Sequence, residues 1–466
     1  MPPSPATASR SLLGRLDESA FTARHLRIYV TVLIGHFLCG FVINLTGVIL
    51  PGVIKTFHLT SAAAGGFSSA LFAGMLVGAA VAGTVSDRFG RRVPLALTVI
   101  VYAVFSLAAV FAPSFGALVT FRALQGIGLG AEIAVVLPYI AEFVPSRHRG
   151  PLVTAATAAW LIGIPTAAAV GTAVVPAFGW RAMFVIATVP VLVGFVMLAT
   201  LPESVRYLLR RGHTQAAEAV VGALCRTTGA PSTGGPDHAS PEPLVESGTV
   251  RTLVTRTYLR YTIAIWFMEV CAGAFLYGLS SWLPSVLEKQ GVDLLKSFGY
   301  TAIITAAGVV GALLAGQLIN KIGRRVVLGG AFVLSGLFCL AWGTTAATAA
   351  VVILGSLATF FGSGLAGSTL FAYASELYPT ASRATGLGWA AAWQKVGGLI
   401  MPVLVGFVLA LHASQFLFFL LFGIISIFAG IAALVATFET RGRTVEQITR
   451  EITGEGTASS LTSARS

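Results

Sequence analysis

The sequence predicts an all-α membrane protein whose twelve transmembrane helices form two repeats of six. Three observations support this fold class. Of 466 residues, 56% are hydrophobic and only 10% are charged, against roughly 25% charged residues in a typical soluble domain. Apolar runs of about twenty residues recur along the chain, the length that crosses ~30 Å of hydrocarbon. Charged loop motifs of the first half also return in the second half at nearly constant spacing.

The apolar runs fall into two sets of six. The first set lies near 28–51, 63–86, 93–112, 115–140, 151–175 and 181–201. The second set lies near 259–283, 297–320, 326–346, 349–375, 384–411 and 416–438. The first run is too long for the apolar core of a signal peptide, so we expect it to remain in the membrane as helix 1.

The segments outside the helices are expected to be cytoplasmic. They are an N-terminal segment, a loop between two six-helix bundles (28–201 and 259–438) and a tail, at 1–27, 202–258 and 439–466. Within the loop, apolar residues at helical spacing predict one short interfacial helix over 206–221. The Pro-, Gly-, Ser- and Thr-rich stretch 227–249 predicts a flexible linker, and the tail after Thr453 is expected to be disordered.

Basic residues indicate the orientation. Most Lys and Arg residues lie in segments on one side of the predicted helices, and the loops of the other side carry only Lys55, Arg181, Lys289 and Lys296. The positive-inside rule therefore places both termini in the cytoplasm. Because the net charge of +12 is spread over short loops, it indicates membrane topology and argues against a nucleic-acid partner.

Catalytic and metal-binding patterns are absent from the sequence. The four cysteines lie far apart and form neither a disulfide framework nor a metal-ligand spacing. We find no P-loop, no set of metal ligands and no nucleophile paired with a base at usable spacing. The sequence therefore predicts a protein that is not an enzyme and that needs no cofactor or metal.

An internal repeat relates the two halves. Gly83-Thr-Val-Ser-Asp87-Arg88-Phe-Gly90-Arg91-Arg92 corresponds to Gly316-Gln-Leu-Ile-Asn320-Lys321-Ile-Gly323-Arg324-Arg325. Glu142, Pro145 and Arg149 likewise correspond to Glu376, Pro379 and Arg383, again about 233 residues apart. Two matches in register indicate duplication of a six-helix unit. Parallel repeats of this kind place a substrate site between the halves, near the membrane midplane.

The motif at 83–92 resembles the signature of the major facilitator superfamily. Segments at 122–132, 142–150, 202–206 and 439–446 resemble its sugar-porter and metabolite:proton symporter branches, which include aromatic acid:proton symporters. The resemblance spans nearly the whole chain and implies the major facilitator fold, with secondary transport by alternating access.

The same resemblance implies that charged loop residues latch the halves in one access state; anchoring of helix ends at the membrane surface is the alternative. Because Asn320 stands where Asp87 is expected, we expect a weaker latch in the second copy. The residues expected to act in gating are Asp87, Arg88, Gly90, Arg91, Glu142, Arg149, Gly323, Arg324, Glu376 and Arg383.

Ionisable side chains inside the spans are candidates for function, because each costs at least ~2.5–3.5 kcal/mol at the bilayer centre. Glu132 in helix 4 and Glu269 in helix 7 are candidates for proton coupling, with a permanent ion pair as the alternative. Lys395 in helix 11 is a candidate for binding a substrate carboxylate, as the resemblance to aromatic-acid symporters implies. The alternative for Lys395 is an ion pair with Glu132 or Glu269.

Arg122 in helix 4 departs from the family pattern. Many proton symporters of the superfamily pair such an arginine with a helix-1 aspartate that follows Gly-Tyr or Gly-Phe, but here Gly40-Phe41 is followed by Val42. Arg122 is therefore expected to pair with a polar group such as Asn44, to face an anionic substrate, or to be structural. Gln125 shares a helix face with Glu132. Further candidates for substrate binding, each with packing as its alternative, are Trp160, Tyr277 and Gln394.

The sequence favours proton-coupled uptake of a small organic acid or other polar metabolite across the cytoplasmic membrane. A proton-independent facilitator remains open because helix 1 lacks a carboxylate, as do a proton-coupled exporter and, more remotely, a transporter-like sensor. The expected partners are a small-molecule substrate, protons and the lipid bilayer, and the expected state is a monomer. Tyr277-Gly278 and Trp282-Leu283-Pro284 predict a break in helix 7 that would act as a gate.

Overall fold

The computed structural model describes residues 12–225, 250–289, 291–411, 414–443, 447–448 and 452. Within these residues, twelve helices are long and apolar enough to cross a membrane. We number them in chain order: α1 Ala23–Phe57, α2 Ser61–Phe89, α3 Arg92–Val110, α4 Phe115–Phe143, α5 Ser146–Phe178, α6 Arg181–Thr200, α7 Arg256–Lys289, α8 Leu294–Ile322, α9 Arg324–Gly343, α10 Thr348–Leu377, α11 Thr380–Ala410 and α12 Gln415–Ala436.

The predicted number and order of membrane-spanning helices are confirmed, since each predicted run overlaps one observed helix. Several helices are longer than their apolar runs. Arg24 and Arg27, for example, lie in the first turns of α1, because a helix can continue into a polar surrounding beyond the apolar stretch that spans it. The linker predicted at 227–249 and the tail after Thr453 lie outside the described residues.

The single interfacial helix predicted over 206–221 is wrong. The chain forms two short helices instead, Val205–Arg210 and Thr214–Cys225. Gly212 lies between them with a φ of +76°, in the left-handed region that ends a helix. A third short helix, Val250–Leu253, precedes α7.

The predicted break in α7 at Tyr277-Gly278 is also wrong. Residues Ala274–Gly278 form a π turn, and the helix then continues through Pro284 to Lys289. A π turn closes i→i+5 hydrogen bonds and widens the helix locally without ending it. A second π segment, Phe360–Ala366, lies within α10.

The chain divides into two compact units. Unit 1 comprises Met1–His58 and Ala70–Pro236, and unit 2 comprises Leu59–Ser69 and Asp237–Ser466. Each unit therefore contains most or all of six membrane-spanning helices. Every contact described below lies within one unit.

Equivalent helix crossings recur in the two units. In unit 1, a Cβ at Gly40 of α1 would collide with the backbone carbonyl of Trp160 in α5. In unit 2, a Cβ at Gly273 of α7 would collide with the carbonyl of Gln394 in α11. Small residues let helix backbones approach this closely in membranes. The internal repeat thus extends from the loops into the packing of the spans.

The crossing of the second and fourth helices of each unit repeats as well, again at glycines. In unit 1, α2 and α4 meet where Gly78 faces the Ile127 carbonyl and Gly130 faces the Met75 carbonyl. In unit 2, the corresponding contacts of α8 with α10 join Gly311 to the Phe360 carbonyl and Gly364 to the Gly308 carbonyl. The second of these crossings includes the π segment of α10.

The N-terminal segment is attached to unit 1. Residues 12–17 are helical, and the side chains of Leu12 and Leu16 are buried. The Cys225 thiol at the end of the Thr214–Cys225 helix donates to the Arg15 carbonyl at 3.7 Å. Burial raises the pKa of this thiol, partly offset by the charge of Arg15.

Candidate functional site

Arg122 lies at the centre of a buried hydrogen-bond network that joins α1, α3 and α4. Its guanidinium donates to the Thr46 hydroxyl and to the Gln125 side-chain carbonyl at 2.5 Å. The Gln125 amide in turn donates to the Ser106 hydroxyl at 2.5 Å. Arg122 also lies 5.8 Å from the centre of the Phe184 ring, a cation–π contact with α6. The Thr46 and Gln125 acceptors are both neutral, and both lie on membrane-spanning helices.

Asn44, proposed above as a partner of Arg122, turns back onto its own helix. Its amide donates to the Gly40 carbonyl at 2.9 Å, the i−4 contact by which short polar side chains satisfy themselves within a helix. Thr46, two residues further on, contacts Arg122 instead. Helix 1 therefore supplies a polar partner for Arg122, as predicted, but this partner is Thr46 and not Asn44.

Glu132 is bound by a histidine that the sequence analysis did not single out. His36 Nδ1 of α1 lies 3.1 Å from Oε1 and 3.2 Å from Oε2 of Glu132. The exposed fractions of the two side chains are 5% and 0%. For Glu132, the alternative to proton coupling was a basic partner on a neighbouring helix. The contact with His36 of α1 matches that alternative. Gln125 and Glu132 share a face of α4, but Gln125 donates a hydrogen bond to α3 and Glu132 contacts His36 of α1.

Unit 2 contains a second pair of ionisable side chains, on α7 and α11. Glu269 and Lys395 are each only 4% exposed, and Lys395 lies close enough for its charge to act on Glu269. The Lys395 ammonium also donates to the Gln394 side-chain carbonyl at 3.1 Å. Of the two partners considered for Lys395 from sequence, Glu269 lies within its electrostatic range, and an ion pair between them stays a prediction.

Three indoles lie in the same α7–α11 contact. The Trp266 ring is stacked on Trp393, with ring centres 5.4 Å apart, and lies 5.7 Å from Trp389. The indole N–H groups of Trp266 and Trp393 are buried and have no hydrogen-bond partner among the described residues. Since buried donors are normally paired, these two N–H groups are available to an acceptor.

The remaining aromatic candidates occupy packing positions. Tyr277 is 1% exposed and belongs to the π turn of α7. Trp160 is partly buried, and its main chain contacts Gly40. Neither position excludes a contact with a substrate, so both residues stay predictions.

The loop motifs form the same ion pair in both units. In unit 1, Arg91 Nη2 lies 3.1 Å from Glu142 Oε1, and the Ser204 hydroxyl donates to Glu142 Oε2 at 2.5 Å. In unit 2, the Arg324 Nη2 and Nε donate to Glu376 at 2.9 and 3.1 Å. The Thr440 hydroxyl donates to Glu376 Oε2 at 2.6 Å, as the Ser204 hydroxyl does to Glu142. The arginine of each loop motif thus contacts the glutamate at the end of α4 or α10.

A second carboxylate in each unit caps the helix that starts at the arginines. Glu203 Oε1 accepts hydrogen bonds from the N–H groups of Arg91, Arg92 and Ser204, at 2.7, 3.2 and 2.8 Å. These amides begin α3, where a helix has unpaired N–H groups and a partial positive charge. The sequence of the segment 202–206 does not by itself indicate this role of Glu203.

Glu439 has the equivalent position in unit 2. It accepts from the N–H groups of Arg324 and Arg325 at 2.8 and 3.1 Å, at the start of α9. Gly90 and Gly323 precede the capped helices with φ angles of +86° and +113°, a conformation that glycine adopts without a steric penalty. A Cβ at either glycine would collide with the capping carboxylate.

The other proposed gating residues make weaker or different contacts. Asp87 pairs with Arg210 at 3.3 Å, but their side chains are 69% and 62% exposed, and exposed pairs contribute about 0–1 kcal/mol. Neither Asp87 nor Asn320 takes part in the repeated Arg–Glu contacts among the described residues, and a weaker latch in the second copy stays a prediction. Arg149 pairs with Asp17 of the N-terminal segment.

Two further gating candidates complete the set. The Arg88 carbonyl accepts hydrogen bonds from the Tyr207 hydroxyl at 3.1 Å and from Arg211 at 2.8 Å. Arg383 is partly buried, and its Nε has no hydrogen-bond partner among the described residues. A role of any of these residues in gating stays a prediction.

Comparisons with known proteins agree with this architecture. A family model described as Major Facilitator Superfamily matches residues 32–402, and matches again over 302–463. The niacin transporter NiaP of Acinetobacter baylyi is 29% identical over 439 residues, covering 94% of this chain and 99% of that protein. The 4-hydroxybenzoate transporter PcaK of the same species is 28% identical, covering 74% of this chain and 76% of that protein.

The fold is similar to that of a solved transporter. The xylose transporter XylE from E. coli, in a partially occluded inward-open conformation, superposes with a TM-score of 0.71 at 21% sequence identity. The match covers 91% of this chain and 100% of that one. With the family model covering most of the sequence and with twelve membrane-spanning helices in the described residues, this chain is an integral, multi-pass membrane protein that belongs to the Major Facilitator Superfamily.

Proposed function

We propose that this protein imports a small aromatic or heteroaromatic carboxylic acid together with protons, and that Lys395 binds the carboxylate. The observation that carries the proposal is a buried ammonium in the middle of a membrane-spanning helix, 4% exposed. Such a group is costly in a span and is retained where it binds a substrate or a counter-ion. The relatives described above transport niacin and 4-hydroxybenzoate, and both compounds carry a carboxylate on an aromatic ring.

The surroundings of Lys395 suit this class of substrate. Gln394 accepts a hydrogen bond from the ammonium, and its own amide N–H can donate to an oxygen. Glu269 lies within electrostatic range of Lys395, so a substrate carboxylate would compete with Glu269 for the cation. A charge-assisted hydrogen bond of this kind is about twice as strong as a neutral one.

The indoles of the α7–α11 contact supply an aromatic surface for the ring. Trp266 and Trp393 are already stacked on each other, and aromatic pairs contribute ~0.5–1.5 kcal/mol beyond the area that they bury. Their two N–H groups, which lack partners among the described residues, can donate to a ring nitrogen or hydroxyl. This arrangement favours a planar acid over a sugar.

Transport by purified protein in liposomes tests the proposal. Labelled nicotinate and 4-hydroxybenzoate are compared with xylose, with and without an inward proton gradient. We expect uptake of an acid, driven by the gradient, and no uptake of xylose. Equilibration of an acid that ignores the gradient would leave a proton-independent facilitator, and uptake of xylose alone would refute the substrate class.

Variants of Lys395 test the assignment of the site. Lys395→Met should lower acid uptake by roughly tenfold to a hundredfold, since hydrogen bonds to charged groups contribute about 1.5–3 kcal/mol. Lys395→Arg should retain part of the activity. Lys321→Met, at an exposed lysine near the end of α8, is the matched control. Uptake by Lys395→Met at the wild-type rate would refute the role of Lys395.

A further inference from the structure

An apolar groove lies between α2, α3 and α4 of unit 1, apart from the proposed substrate site. Its volume is about 350 Å³, and Val81, Phe89 and Leu97 line it with exposed side chains. Among the described residues that line it, Thr98 alone has a polar side chain, and its hydroxyl donates to the Leu95 carbonyl at 2.7 Å. The groove therefore leaves no side-chain hydrogen bond for water and is suited to a hydrocarbon chain.

The groove is about as long as one half of a membrane is thick. Its lining on α2 runs from Gly78 to Phe89, and eleven residues of α-helix extend about 16 Å. Half of the hydrocarbon layer is about 15 Å. Phe89 is the last residue of α2, so the groove begins beside the motif 83–92. The positive-inside rule predicts that this end faces the cytoplasmic leaflet, and one lipid tail of that leaflet would span the groove.

The end of the groove at the motif 83–92 carries an excess of positive charge. The Arg88 guanidinium lies 5.5 Å from the centre of the Phe89 ring and makes no ion pair among the described residues. Arg211 donates to the Arg88 carbonyl at 2.8 Å, and Arg92 donates to the Leu198 carbonyl. Within the motif and the side chains that contact it, five arginines accompany three carboxylates, at positions 88, 91, 92, 210 and 211 and at 87, 142 and 203. This excess attracts an anion at the membrane surface.

The second repeat carries different side chains at the positions that line the groove. At the offset of 233 residues that relates the loop motifs, Val81 and Val85 correspond to Leu314 and Leu318. Leucine is larger than valine and would take up part of the space that the two valines leave open. Because the two repeats share their helix crossings, the fold itself does not require the smaller side chains.

From the shape and the charge together we propose that this groove binds one acyl chain of an anionic phospholipid, with its phosphate held by Arg88 and Arg211. The tail leaves one hydrocarbon surrounding for another, so its transfer supplies little selectivity. The groove therefore fixes where the tail lies, and the arginines select an anionic headgroup. The bound lipid anchors the loop between α2 and α3 in its leaflet. This site is independent of the transported substrate.

Native mass spectrometry of the purified protein, titrated with phosphatidylglycerol or phosphatidylcholine, tests the proposal. We expect one phosphatidylglycerol to bind roughly tenfold to thirtyfold more tightly than phosphatidylcholine, since each arginine near an anionic surface contributes a factor of about five. Glycerol 3-phosphate, which has no tails, should not displace the lipid. Equal affinity for the two lipids in wild-type protein would overturn the proposal, as would displacement by glycerol 3-phosphate. Dimers that replace the lipid-bound monomers would show that a second copy occupies the groove instead.

Two double variants separate the groove from the charge. Val81→Leu with Val85→Leu should weaken binding of the first phosphatidylglycerol, whereas Val77→Leu, at an exposed residue of α2 outside the lining, should not.

Arg88→Gln with Arg211→Gln should abolish the preference over phosphatidylcholine. Arg147→Gln with Arg251→Gln, at two exposed arginines outside this cluster, is the matched control. Unchanged binding in the leucine variant, or an unchanged preference in the glutamine variant, would overturn the proposal. The wild-type comparison decides the lipid preference even if a variant does not fold.

Discussion

Replacing Gly90 by alanine should destabilise unit 1 through the carboxylate cap of α3 as well as through the backbone. The φ of +86° at Gly90 costs a residue with a side chain about 1–2 kcal/mol. The new Cβ would also occupy the position of the Glu203 carboxylate, which caps three backbone N–H groups. Loss of hydrogen bonds to a charged group adds about 1.5–3 kcal/mol. The expected total is about 2.5–5 kcal/mol.

Because both substitutions remove the same cap, their effects should not add. Glu203→Ala alone should cost about 1.5–3 kcal/mol. The double variant loses the cap once, so it should cost no more than Gly90→Ala alone, with a coupling energy of about 1.5–3 kcal/mol. The equivalent pair in unit 2, Gly323 and Glu439, should behave in the same way.

The free energy of unfolding can be measured by titration with SDS in detergent micelles, followed by circular dichroism. Gly116→Ala is the control, since a Cβ at Gly116 meets nothing within 4 Å. Additivity of Gly90→Ala and Glu203→Ala within about 0.5 kcal/mol would refute the reasoning, because the two residues would then act independently.

Three further predictions concern packing, ion pairing and thiol reactivity. Gly273→Ala should lower the free energy of unfolding by about 1–3 kcal/mol through overpacking against α11, whereas Gly388→Ala, where a Cβ meets nothing within 4 Å, should not. Arg324→Lys should destabilise more than Arg91→Lys in the same titration, because Arg324 donates to Glu376 through two nitrogens and a lysine cannot. Since burial raises the pKa of Cys225, its alkylation by maleimide, followed by mass spectrometry, should rise at higher pH than that of a peptide thiol; coincident curves would contradict this.

The architecture was largely predictable from local information. Apolar length alone identifies a span, and the repeated motifs placed Arg91 and Arg324 near glutamates that they do contact. The loop contacts could be predicted because a charged residue at the end of a helix has few oppositely charged partners within reach. The two π turns were not predictable, since α-helix and π-helix have the same apolar signal over a single turn.

The buried pairs depend on helix rotation, which the sequence does not specify. Arg122 was expected near Asn44 and contacts Thr46 instead, a difference of two positions on one helix. His36 was overlooked because a lone histidine in an apolar run is ordinary, and its partner Glu132 is 96 residues away. The internal repeat, however, aligns His36 with Glu269, and this alignment could have identified the histidine as a candidate.

The π segment of α10 marks the position at which the second repeat is one residue longer than the first. Ahead of it, matched contacts are 233 residues apart, as in the pairing of Ile127 with Phe360; after it, the separation is 234, as from Gly130 to Gly364. The extra residue therefore lies between 361 and 364, inside the segment Phe360–Ala366. Correspondingly, α10 has 30 residues and its counterpart α4 has 29.

A helix that gains one residue must either rotate everything beyond it by about 100° or absorb the insertion within a single widened turn. This protein shows the second arrangement, and its Arg324–Glu376 ion pair joins the same two motifs as the Arg91–Glu142 pair although α10 is one residue longer. Deletion of Gly362 should accordingly be better tolerated than deletion of Gly128. Gly362 lies in the π segment of α10, which can absorb the loss by returning to α-helix, whereas α4 is α-helical throughout.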